Sequence, residues 1–170
     1  MAWRLARCTM PAVASLLLAG WGGAEPKTLA FREHGLAFRY PAGWSVTGFS
    51  RNVSPARLVV ASYRVTPNEV EGDCGGAKAL NKLPPKGAAL LLVDYGAATP
   101  GLGFAPHPNR FLLRQFTRRN YDCFGDSYMR RFQAAGQDLQ AFLRLGPQAN
   151  TTTRMSALLI LDSLHKVPGP

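Results

Sequence analysis

Three histidines, three cysteines and ten carboxylates are the groups with which this chain of 170 residues could hold a metal, attack a carbonyl or move a proton. His34, His107 and His165 are scattered, and no His-x-x-x-His or Cys-x-x-Cys pair occurs, so the common zinc spacings are excluded and no metal or cofactor is expected. A nucleophilic serine would need its strand-to-helix elbow, and no Gly-x-Ser-x-Gly stands in the chain. Asp122 and Asp126 flank Cys123 at a spacing that invites acid–base chemistry, but Arg118, Arg119, Arg130 and Arg131 lie close in sequence, and exposed ion pairs are the expected outcome. "GLGFAP", residues 101 to 106, follows an apolar run as a dinucleotide loop would. Pro106 replaces its third glycine and no helix is predicted after it, so no phosphate cradle is expected.

Cysteine usage speaks to compartment. Residues 1–24 begin with Arg4 and Arg7 and continue through an uncharged, mostly apolar run ending in Gly22-Gly23-Ala24, the layout of a cleavable signal peptide, with an uncleaved N-terminal anchor as the alternative. The apolar run is shorter than the roughly 20 residues that span a bilayer, so no membrane span is expected in the mature form. Removing the segment takes away Arg4, Arg7 and no acid, lowering the formal charge from +10 to +8. It leaves two cysteines, and in an exported chain the pair Cys74 and Cys123 reads as a disulfide.

With 20 Lys and Arg against 10 Asp and Glu, the surface attracts anions in general. Arg130 and Arg131 are neighbours on a predicted strand and point to opposite faces, so the count of arginines does not imply one recognition patch. No aromatic RNA-binding motif accompanies them and no nucleic-acid partner is expected; an unknown protein or an anionic envelope component is. The Pro- and Gly-rich loop 97–109 is the best placed binding segment by position, with Phe104 and His107 as its reading groups.

The elements that must position these groups follow from periodicity. "TLAFR" (28–32) reads as a first strand, "EHG" as its turn, and Leu36, Phe38 and Tyr40 alternate with Ala37 and Arg39 as a half-buried strand ended by Pro41. Trp44 restarts an extended segment through Val46 and Phe49, and 57–65 is β-branched. Residues 77–83 have helical spacing and stop at Pro84-Pro85. Residues 87–96 have the length and apolarity of a buried central strand, 111–116 are predicted extended, and 127–134 with 138–145 form a hairpin turning at Ala135-Gly136-Gln137. Asn150 and the threonines after it can cap a last helix, whose face is Ala157, Ile160, Leu161 and Leu164, and which is expected to reach His165 and Lys166 before Pro168.

"LAFRYPAGWSV" (36–46) and a terminal helix carrying "LLILDSLH" resemble the PsbP-like (Mog1/PsbP) superfamily, especially small exported actinobacterial proteins of unknown function. The resemblance covers most of residues 28–166 and implies an α+β domain over 25–170: an antiparallel sheet sandwiched between helices, with the amphipathic C-terminal helix packed on it. It also implies a binding or assembly role rather than catalysis, and carries over no site residue. The Tyr40–Trp44 turn is expected to be architectural. The reading is a secreted, monomeric, non-enzymatic binding domain; a small extracytoplasmic hydrolase or transferase with an unmarked acid–base site is the alternative.

Overall fold

The computed structural model describes residues 27–48, 55–72 and 74–167. Residues 1–24, expected to be a signal peptide or anchor, and Phe49 and Pro168 lie outside the described residues. The strands in chain order are β1 (Thr28–Glu33), β2 (Leu36–Pro41), β3 (Ser45–Gly48), β4 (Ala56–Ala61), β5 (Ala88–Ala97), β6 (Ala105–Pro106), β7 (Thr117–Tyr121), β8 (Gly125–Ala134), β9 (Gln137–Leu145) and β10 (His165–Lys166). Two α-helices stand among the described residues, α1 (Ala77–Asn81) and α2 (Thr151–Asp162).

Hairpin chemistry sets the registers. Glu33 faces Leu36 across His34-Gly35, and Ala134 faces Gln137 across Ala135-Gly136. All four turn residues have positive φ (54°, 76°, 57° and 78°), the left-handed pair that a two-residue turn between twisted strands requires. The large sheet runs β3-β4-β5-β9-β8-β6, with β7 also on β8; β1, β2 and β10 form a separate three-stranded sheet.

β5 is apolar throughout its first six residues because both faces of the large sheet are covered. On one face Leu58, Leu90, Leu143 and Phe132 meet Leu36 and Phe38 of β2 and Ala157, Ile160 and Leu161 of α2. On the other, Val59, Leu91 and Phe142 meet Ala79 and Leu80 of α1, Val65 and Val70.

This arrangement corrects the expected sheet sandwiched between helices. The fold is β-rich, and among the described residues its second face has no helical layer: α1 is five residues long, held short by Pro84-Pro85. Loop segments complete that cover, and the first face is shared between α2 and a small sheet. Residues 111–116 also differ from expectation, containing a 3₁₀ turn at Leu113–Gln115. The last helix is shorter than expected. Asn150 caps its start, its side chain accepting from Thr153 N at 2.8 Å. It ends at Asp162 because the Ser163 hydroxyl turns to the β2 edge, accepting from Arg39 N at 2.8 Å, and Leu164 turns into the core. His165 and Lys166 then pair with Ala37 and Leu36 as a strand.

Candidate functional site

The three-stranded sheet has one face in the core and one that no other described element covers. Residues directly opposed in an antiparallel ladder project to the same side, and here Ala30 opposes Arg39, Arg32 opposes Ala37, and His165 opposes Ala37 from the other edge. Arg32, Arg39 and His165 therefore rise from one surface around two alanines, while Phe31 turns inward and stacks on Phe38 at 4.7 Å. They border a cavity of about 250 Å³, which Thr28 and the apolar Leu29, Phe31 and Phe38 also line; among the described residues none of its lining is acidic.

Local bonds fix its walls. Arg39 Nη2 donates to Thr28 Oγ1 at 2.8 Å, setting the guanidinium across the hairpin. The Ser163 hydroxyl that accepts from Arg39 N donates to Ile160 O at 2.9 Å, tying this strand to the end of α2. His165 Nδ1 lies 2.8 Å from Ser163 O, which orients the imidazole. Arginine's planar fork suits carboxylate, phosphate and sulfate, and small floor residues leave room for one.

A second cavity of about 240 Å³ adjoins the first. It lies between the β2 edge and α2 and is lined by Tyr40, Pro41, Ser156, Leu159 and Ser163 together with the same Thr28 and Arg39. Tyr40 and Pro41, expected to be purely architectural, form part of its wall. Leu159, more than half exposed at 53%, stands at its mouth. A third groove on the far side of α2, beside Arg110 and Met155, measures about 60 Å³, room for little more than two waters.

The residues singled out on loop 97–109 are not brought together. β6 runs parallel beside β8, and the loop's two aromatic rings leave on opposite sides. Phe104 lies edge-on to Tyr95 at 5.8 Å with the Arg131 guanidinium over its ring. His107 turns to the α2 side, packs edge-on against Phe111 at 5.0 Å, and its Nε2 donates to Leu161 O at 3.0 Å. Phe111 N in turn donates to Asp162 Oδ1 at 2.5 Å. His107 thus serves as a latch. Arg130 and Arg131 also part, one reaching the Phe111 ring and the other the Phe104 ring.

Cys74 and Cys123 are joined by a disulfide, with their Cα atoms 5.5 Å apart. Of the two flanking carboxylates, Asp126 is engaged: it accepts from Arg118 Nη2 at 2.6 Å and Nε at 3.1 Å, and that bonding holds its carboxyl below the usual range. Asp138, 1% exposed, accepts from Thr99 N and Gln133 Nε2, each at 3.0 Å. Asp94 is buried beside the bulge in β5; burial pushes its pKa up, opposed by the bond from Gly96 N at 2.7 Å. Among the described residues no three His, Cys, Asp or Glu gather as a metal site, and no helix is long and apolar enough to cross a membrane.

No family model, curated protein or solved structure matches this chain.

Sequence reasoning passed over Arg32 and Arg39 and assigned His165 to a helix end. The signal for the arginines was the hairpin: with His34-Gly35 as a two-residue turn, Arg39 falls opposite Ala30 and Arg32 opposite Ala37.

Proposed function

We propose that the chain is an extracytoplasmic, non-enzymatic binding domain that takes an anionic ligand on the outer face of its three-stranded sheet. The observation that carries this reading is the cavity bordered by Arg32, Arg39 and His165, with no carboxylate in its lining among the described residues. A chain of formal charge +10 draws anions toward itself, and Arg32, Arg39 and His165 border this concave surface together. Three carboxylates that could serve as acid or base are engaged elsewhere: Asp126 with Arg118, Asp162 with Phe111 N, Asp138 with Thr99 and Gln133. The apolar N-terminal run and the bonded cysteine pair suit export to an oxidising compartment.

Titration of the folded chain with inorganic phosphate, followed by backbone amide shifts, tests the reading. Saturable shifts are expected in β1, β2 and β10, abolished in the double variant Arg32→Ala/Arg39→Ala and retained in Lys78→Ala/Lys86→Ala. Shifts confined to β7 around Arg118 and Arg119, or none at all, would overturn it.

A further inference from the structure

We infer that the anion is the head of a single-chain amphiphile, whose alkyl tail lies in the groove between β2 and α2. The inference rests on the reading that the cationic cavity takes an anion, and adds what the neighbouring groove is for. Thr28 and Arg39 belong to both linings, so the two cavities share a wall. One side of that wall carries Arg32 and His165; the other carries Tyr40, Pro41 and Leu159. Each volume alone, about 250 and about 240 Å³, falls short of a usual small-molecule site of roughly 300–1,000 Å³, and the two together lie within it.

Charge complementarity selects the occupant. A neutral chain would bring no opposite charge to Arg32 and Arg39, and a bare anion would leave Leu159 in water. A peptide carries hydrogen-bonding groups at every residue, whereas the groove offers Ser156 and Ser163 as its polar side chains besides Thr28, Arg39 and Tyr40. Ser163 is already bonded to Arg39 N and Ile160 O. A chain of methylenes ending in a phosphate or carboxylate meets both sides of the wall at once. The Arg39 side chain, fixed on Thr28 Oγ1, stands where head and tail would join.

Calorimetric titration with butyl, hexyl and octyl phosphate, all below their micelle concentrations, tests this against inorganic phosphate and octyl phosphocholine. Affinity is expected to rise roughly fourfold for each methylene that enters the groove. Leu159→Gln, checked for folding by circular dichroism, is expected to cut the octyl-to-butyl ratio by about tenfold, the share of a leucine contact. Phosphate binding that does not strengthen with chain length would overturn the amphiphile and leave the anion reading standing. Failure of inorganic phosphate and the whole alkyl series to bind would overturn both. Octyl phosphocholine binding as tightly as octyl phosphate, or an unchanged ratio in Leu159→Gln, would also overturn the inference.

Discussion

The two faces of the large sheet are closed by different physics. On the first, a capped twelve-residue helix and an inward strand supply Ile160, Leu161, Leu36 and Phe38, side chains large enough to hold the layer by burial alone. On the second, a five-residue helix and loops supply Ala79, Leu80, Val65 and Val70 as buried anchors, with Tyr63, Leu83 and Phe124 only partly buried, and a covalent link from Cys74 to Cys123 secures them. Among the described residues, the first cover alone includes a sheet of its own. A sheet has two faces, so a cover made of one keeps a regular outer surface for binding. The disulfide-held cover stabilises; the β1-β2-β10 cover both stabilises and presents Arg32, Arg39 and His165.

Breaking the covalent link is the strongest test of that division. The bridge closes a loop with a sequence separation of 49, which on the chain-entropy model contributes about 4 kcal/mol. Cys74→Ser/Cys123→Ser is expected to lower Tm by on the order of 10 °C. Phosphate-induced shifts in β1 and β2 should survive below that lower Tm. Their disappearance in a variant still folded by circular dichroism would show that the two covers are not independent.

A cut on the first face should cost less and stay local. Asp162→Ala removes the acceptor for Phe111 N, and Phe111 is 1% exposed, so a buried donor loses its partner. The expected loss is about 1–3 kcal/mol. Amide exchange should accelerate around Phe111 and Leu112 and remain unchanged in α1. Faster exchange in α1 would mean the latch supports both faces.

How much of this was legible depended on whether local chemistry or register decided the outcome. Alternation in Leu36, Phe38 and Tyr40, the apolar run of β5 and the Ala135-Gly136 turn each mark their own element, and those strands lie where periodicity puts them. The cysteine pair was legible from number and context. The cavity was not, because it depends on which residues oppose one another. Reading "EHG" as the turn rather than His34-Gly35 moves the register by one and sends Arg32 to the wrong face. The pairing of β10 with β2 depends on Ser163 bonding Arg39 N, 124 residues away in sequence, and no local pattern announces that contact. Likewise Phe104 and His107 are three apart on a loop, yet a two-residue strand between them sends their rings to opposite sides. The expected helical sandwich failed on length: a segment bounded by Gly75-Gly76 and Pro84-Pro85 cannot make a layer.

The finest test uses acid. Glu69, on the disulfide side, accepts from Lys82 Nζ at 2.8 Å and Thr66 N at 2.7 Å, and the bond from Lys82 above all lowers its pKa. A carboxyl whose folded pKa lies below its unfolded one of about 4.3 favours folding above that value, and the contribution fades as pH falls through the folded pKa. Asp94 has the opposite sign. Burial raises its folded pKa, so its ionisation opposes folding at neutral pH, and the opposition fades as pH falls through the raised folded pKa and is gone below the unfolded value of about 3.9. Asn at 94 keeps an oxygen for Gly96 N. Asp94→Asn is therefore expected to raise Tm at pH 7 by up to about 3 °C, with the gain vanishing near pH 3.5. Glu69→Gln is expected to lower Tm slightly at pH 7, with that loss also vanishing in acid. Thermal melts of both variants from pH 7 to pH 3 check the signs. A fall in Tm for Asp94→Asn at neutral pH would mean that its carboxylate holds the β5 bulge by charge, and that this end of the first face is not secured by burial alone.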